Sequence, residues 1–154
     1  MRLSTKGRYA VMAMADLARH GVGGEAVALA AIAGRQEISL AYLEQLFARL
    51  RRAGLVKSVR GPGGGYRLAL PAAQTAVSDI IRAVDEPLHA TRCESTRGHV
   101  GCMASGEQCL THGLWDALGH VIEDYLASVS LEDVTERRFH PQPAASAAAA
   151  MATG

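Results

Sequence analysis

Residues 38–70 read ISLAYLEQLFARLRRAGLVKSVRGPGGGYRLAL. Leu43, Leu46, Phe47 and Leu50 recur at the spacing of one helix face, while Tyr42, Gln45, Arg49 and Arg52 recur on another. One face packs and the other reaches outward. Ser39 stands where such a helix needs a cap, and Gly54 stands where it must stop. Two extended runs follow, Leu55 to Val59 and Tyr66 to Leu70, on either side of Gly61-Pro62-Gly63-Gly64-Gly65. This is the pattern of a β-hairpin whose tip needs backbone angles that glycine adopts freely. A phosphate-cradling loop is excluded, because no Gly-Lys-Ser/Thr follows the glycines and a strand rather than a helix comes next. A polar, basic helix running straight into a hairpin reads as a recognition helix and its wing.

The upstream residues supply the rest of a helix-turn-helix. Met1 to Arg19 reads as a helix capped by Thr5, with Tyr9 and Met12 on its apolar stripe and Gly21 as its stop. The glycines of HGVGGE make a turn, VALAAIAGRQ reads as a short helix, and Glu37-Ile38-Ser39 breaks it before the recognition helix. Downstream, Val77 to Val84 is a further short helix closed by Asp85, Glu86 and Pro87. After His112, the residues Leu114, Leu118, Ile122, Tyr125 and Val129 sit four, four, three and four apart, with Trp115, Val121 and Leu126 beside them. That is a long helix with more apolar surface than a small body requires. Burial within the chain is one sink for it, and pairing with a second copy is the other, favoured because helix-turn-helix proteins commonly read two-fold sites as dimers. From His140 the chain becomes PQPAASAAAAMATG, a low-complexity stretch without core residues that reads as a disordered tail.

Composition agrees with a mainly α chain. Apolar residues make up 49% of the 154 but aromatics only 5%, which favours close helix packing over an aromatic all-β core. The N-terminus lacks a signal-peptide run and no segment approaches a membrane span, so a cytoplasmic chain with no membrane partner is expected. Residues 1–70 hold 11 Lys and Arg against 4 Asp and Glu, whereas residues 71–154 hold 5 against 11. A basic head on an acidic body suggests a nucleic-acid-binding head, with chance distribution over solvated faces as the alternative; joined to the recognition helix and wing, it makes double-stranded DNA the expected partner.

All three cysteines fall in CESTRGHVGCMASGEQCLTH, residues 93–112. Cys93 and Cys102 are separated by eight residues, Cys102 and Cys109 by six, and Cys109 and His112 by two. If His112 opens the long helix, Cys109 and His112 face one point and a Gly-containing loop lets the other thiols close on it. Three sulfurs and one nitrogen suit a tetrahedral zinc site or an iron–sulfur cluster. Bare redox thiols activated by Arg92 and Arg97 form a third reading. His99, within the loop, is an alternative to His112 as the nitrogen donor. An enzyme with a metal centre fits poorly, since no second catalytic constellation accompanies the cysteines and the basic helix and wing would have no role.

MRLSTKGRYAV at the start, ISLAYLEQLFARLRRAGLV, SVRGPGGGYRL, AVDEPLHATRC before the first cysteine and CLTHGLW at the last ligand resemble the IscR-like winged-helix regulators of bacteria over about residues 1–135. The resemblance implies a homodimer that binds a pseudo-palindromic operator. It also implies a 2Fe–2S cluster held by Cys93, Cys102, Cys109 and His112, received from the cluster-assembly machinery and controlling iron–sulfur biogenesis genes. A nitric-oxide- or redox-responsive regulator of the same architecture, or a zinc-stabilised DNA-binding protein, is the alternative. The fold class expected is mainly α with a small β-wing: a winged helix-turn-helix head over 1–70, a linking helix over 71–92, a cluster loop over 93–112, a dimerisation helix and following segment over 113–135, and an Ala-rich tail over 136–154. The residues assigned to DNA are Arg2, Lys6, Ser39, Tyr42, Glu44, Gln45, Arg49, Arg52, Arg60, Gly63 and Gly64. Glu44, the acidic residue of the recognition helix, is a candidate selectivity gate, since a carboxylate accepts a hydrogen bond from a cytosine amino group and is repelled elsewhere; a solvated side chain, or one paired to Arg51, is the alternative. Two departures from the family stand out, wider gaps between the cysteines and Ala41 where a small hydroxyl residue is common.

Overall fold

A computed structural model describes residues 5–84, 103 and 105–139. The elements run α1 (Thr5–His20), α2 (Leu29–Gln36), α3 (Leu40–Arg52), β1 (Val56–Val59), β2 (Gly65–Leu68), α4 (Val77–Ala83), α5 (His112–Ser128) and α6 (Leu131–Glu136), with single 3₁₀ turns at Val22–Gly24 and Ala72–Gln74. The four-residue stripe of α3 is the centre of the core: Leu43, Phe47 and Leu50 are wholly buried and Leu46 nearly so. Ala10 and Ala13 of α1, also wholly buried, let that helix come close, and Met14, Leu17, Ile32, Val56, Ile80, Val84 and Leu131 complete the cluster.

The turn between α2 and α3 is tight. Glu37 adopts a left-handed conformation and returns its N–H to the carbonyl of Ala33, while the Ser39 hydroxyl accepts the Tyr42 N–H at 3.2 Å and so caps α3. Gly54, at a φ of 76°, ends the chain's run after α3. β1 and β2 then pair antiparallel, Val56 with Leu68, Lys57 with Arg67, Ser58 with Tyr66 and Val59 with Gly65. Tyr66 faces inward and lies edge-on to Phe47 with 4.9 Å between ring centroids.

Two local readings of the sequence are corrected. Thr5, expected as a cap, lies inside α1. Val27, expected in the second helix, instead exchanges both backbone hydrogen bonds with Tyr66, at 2.8 and 2.9 Å, so α2 begins only at Leu29. The hairpin edge thereby gains a third extended segment, and that pairing outweighs the helical preference of the alanines around it.

The chain after α5 returns to the head. Val129 and Leu131 are buried, Val77 N–H donates to Val129 O at 2.9 Å, and Leu131 N–H donates to Thr75 O at 2.8 Å. Ser130 and Asp133 form a capping box that starts α6. Glu136 is the last residue of α6, and the tail from His140 lies outside the described residues.

Asp16 of α1 is the buried acid of the head. Both of its oxygens accept from Arg35, at 2.5 to 3.2 Å, and Oδ2 also accepts from the Gln36 amide at 2.7 Å. Burial pushes its pKa up, but the hydrogen bonds from Arg35 and Gln36 and the charges of Arg35 and His20 outweigh that, leaving it below the ordinary carboxylate range. Its stabilising contribution is therefore complete at neutral pH and lost as acid protonates the folded form. Asp16→Ala is expected to cost about 2 kcal/mol, at the low end for a broken buried pair because Arg35 retains access to water. Urea denaturation at pH 7 measures it, and the gap from wild type should narrow below about pH 4.

Candidate nucleic-acid interface and metal centre

The outward surface of α3 begins at its cap. Leu40, Ala41, Glu44, Gln45, Arg51 and Arg52 are exposed, which makes the first two turns available to a groove and the last turn available to phosphates. Tyr42 and Arg49 are half-buried; the Tyr42 ring stands edge-on to Tyr9 at 6.0 Å, so it braces α1 against α3 as well as facing outward. The Arg52 guanidinium donates to the Ala48 carbonyl at 3.3 Å from the last turn. Lys6 of α1 is half-buried, and Arg2 lies outside the described residues.

The wing adds charge that the sequence reading passed over. Lys57 and Arg67 pair directly across the hairpin and are both exposed, so two like charges share one face. Opposed like charges destabilise a hairpin unless an anion lies against them. The signal was present in the sequence as alternation within each strand, but it needed the register to bring the two together. Arg60 is exposed just past β1, at the start of a tip closed by Gly64 N–H on Gly61 O at 2.9 Å. A side chain at Gly64 would meet the carbonyls of Val59 and Gly61 at 2.5 and 2.7 Å, whereas Gly63 has open space around it. Gly64 thus shapes the tip, and Gly63 leaves room for a backbone approach.

Of the four expected ligands, Cys109 and His112 are described, and Cys93 and Cys102 lie outside the described residues, as does His99. His112 is the first residue of α5, and its N–H donates to the Cys109 carbonyl at 2.9 Å, which folds the two donors into one turn at the helix start. Both are half-buried. Thr111 lies between them, its hydroxyl 3.6 Å from the Cys109 sulfur and accepting from the Trp115 indole at 3.2 Å. The positive end of a helix dipole favours a thiolate there. A thiol and an imidazole in one turn, partly open to solvent, fit two corners of a Cys-and-His metal site. Among the described residues alone, no three His, Cys, Asp or Glu converge.

α5 carries this turn at one end and the head at the other. Tyr125 and Leu126 pack with Val77, Ile81 and Val129, and Arg82 of α4 pairs with Glu123 of α5. The N-terminal half of the helix is more open: Leu114, Leu118 and Val121 are exposed, as is Leu110 in the turn before it. The periodic stripe after His112 is thus divided, its C-terminal end buried within the chain and its N-terminal part open. No helix among the described residues is long and apolar enough to cross a membrane.

The sequence profile of the Rrf2 family, described as an iron-dependent transcriptional regulator, matches residues 3–137. The regulator IscR of Photorhabdus laumondii is 54% identical over 138 residues, which are 90% of this chain and 81% of that protein. IscR of Pectobacterium carotovorum is 53% identical over 138 residues, with the same shares covered. Among solved structures, T. potens IscR superposes with a TM-score of 0.70 at 40% identity, covering 89% of this chain and 88% of its own. CymR, the global cysteine regulator of B. subtilis, superposes with a TM-score of 0.73 at 34% identity, covering 89% and 98%. The match extends from α1 to α6, through the recognition helix, the wing and α5 alike, and the chain belongs to the Rrf2 family of transcriptional regulators.

Proposed function

We propose that this regulator binds its operator as a homodimer and that a 2Fe–2S cluster, held by Cys93, Cys102, Cys109 and His112, sets how it does so. The observation that carries the reading is the meeting of Cys109 and His112 at the start of α5, the helix whose far end is fastened to α4 by Arg82–Glu123 and the Val77–Val129 hydrogen bond. The cluster supplies a redox-sensitive, removable link among the four side chains. Within the chain, Thr111 orients the turn that bears the two described ligands, and α5 carries any change in that turn to α4. α4 packs beside α1 and α3 in the head, so the recognition helix is within reach of that change. Genes for iron–sulfur assembly are the targets that the likeness to the IscR proteins supports.

The DNA-binding part is tested by salt dependence. Each of Arg52, Arg60, Lys57 and Arg67 that meets a phosphate should lower the slope of log affinity against log salt by about 0.9 when replaced by Ala. Arg60→Ala should also alter sequence preference if it lies in a narrow minor groove. A slope unchanged in the quadruple variant gives this basic face to solvent.

The bare part of α5 supports the dimer. Leu114, Leu118 and Val121 lie on one side of the helix and are 61%, 38% and 63% exposed, and a second copy of the same helix is the occupant that a two-fold operator calls for. Leu118→Glu places a charge in that seam and is expected to yield a folded monomer with operator affinity at least about tenfold weaker. Sedimentation velocity checks it: a variant that remains dimeric removes this face from the interface.

A further inference from the structure

A cleft of about 450 Å³ opens between α1, the end of α2 and the end of α6, within the size range of small-ligand sites. Its apolar wall is Val11, Met12, Ala15 and Val134. Past Val11 and Met12 the wall continues into a second hollow of about 250 Å³, bounded by Gly7, Val77, Ile81 and Leu126. The polar lining of the larger cleft includes Arg19 and Arg137 beside the Asp16–Arg35 pair.

Among the described residues, neither the Arg19 nor the Arg137 guanidinium makes an ion pair with a carboxylate. Asp16 is the one acid among the lining residues, and its oxygens are already taken by Arg35 and Gln36. The acids of α6 are gathered by the neighbouring arginine: Arg138 pairs with Glu132 at 2.9 Å, with Asp133 at 3.2 Å and with Glu136. Arg137 is the left-handed C-cap of α6, at a φ of 57°, and makes no ion pair with those acids. The result is a largely apolar trough, lined also by two arginines that make no ion pair among the described residues, beside a fixed ion pair.

We propose that this cleft is a second ligand site, taking a small organic anion whose carboxylate or phosphomonoester group lies between Arg19 and Arg137 and whose apolar body lies along Val11, Met12 and Val134. A guanidinium fork matches either headgroup through paired charge-assisted hydrogen bonds. None of the described residues of 93–112 lines the cleft. Because Arg19 belongs to α1 and Arg137 to the end of α6, an occupant ties the segment after α5 to the head, and gives the regulator an input besides its metal centre.

Titration calorimetry on the full chain, with 4-phenylbutyrate, phenyl phosphate and inorganic phosphate as probes, tests it. At least one aromatic probe should bind once per chain and more tightly than inorganic phosphate, and which one binds identifies the headgroup. Arg19→Gln and Arg137→Gln should each weaken that binding about tenfold, while Arg51→Gln, exposed on α3 and outside the cleft, leaves it unchanged. Absence of heat with both aromatic probes, equal affinity for inorganic phosphate, or equal affinity in the two cleft variants overturns the proposal. So does binding that vanishes as protein concentration rises through the dimer range, which gives the cleft to a second copy.

Discussion

Cys109→Ala protein, purified without oxygen, is expected to be colourless and to lose any difference in operator binding between the loaded and stripped states. The reason lies in the turn from Cys109 to His112. Of the two proposed ligands that are described, His112 would be the neutral donor, and it is placed by the Cys109 carbonyl that accepts its N–H. Removing the thiolate leaves the iron short of the negative charge that a sulfur-rich set supplies, so neither a partial cluster nor a weakly held one should survive. The backbone hydrogen bond does not depend on the sulfur, and α5 should keep its start. The same fold with an empty site is therefore the expected outcome, checked by unchanged far-ultraviolet circular dichroism. His112→Cys is the companion variant: a thiolate is a stronger ligand to ferric iron than an imidazole, so it should retain the cluster and hold it more firmly against chelators. Full iron and sulfide content in Cys109→Ala would remove that residue from the ligand set.

Gly65→Ala should be the most damaging change in the wing. Gly65 sits at a φ of 156°, and a β-carbon on it would lie 2.2 Å from the Val27 carbonyl oxygen and 2.7 Å from the Ala28 nitrogen, all rigid backbone. Relief requires the Val27–Tyr66 bridge to open, and Tyr66 then loses its seat on Phe47. A cost of about 3 kcal/mol is expected, with operator affinity falling alongside because the wing's charges are no longer positioned. Gly63→Ala is the contrast: its φ of 72° is left-handed but its surroundings are open, so about 1 kcal/mol is expected. Denaturant unfolding of both variants decides it, and equal stability of the two would mean that the hairpin shifts freely at Gly65.

The recognition helix was legible because its two faces repeat at a helical period and because Ser39 and Gly54 mark its ends in residue types with a physical reason to be there. The wing was legible for a similar reason, since five residues of glycine and proline between extended runs leave few other choices. What could not be read depends on distance along the chain. Asp16 looks like any solvated charge on α1 until Arg35 and Gln36, on another helix, close on it. Val27 lies among alanines that favour a helix, and only the hairpin edge pulls it into pairing. Lys57 and Arg67 are unremarkable singly and become a charged pair through the register. The stripe on α5 showed that the helix had apolar surface to bury, but its division between α4 and an open face follows from the return of Val129 and Leu131 to the head. For the proposed ligands, spacing and residue type were legible along the chain, and the fold adds the shared turn of Cys109 and His112 at the start of α5.

The measurement that bears most directly on cluster sensing is elemental and optical: iron, zinc and acid-labile sulfide per chain, with the visible spectrum, on anaerobically purified full-length protein before and after chelation, each form then titrated against a panel of genomic DNA fragments. A cluster-sensing regulator should carry roughly two iron and two sulfide per chain with visible charge-transfer bands, and its ranking of the fragments should change when the cluster is removed. Stoichiometric zinc without sulfide, or identical DNA titrations for the loaded and stripped forms, would contradict it.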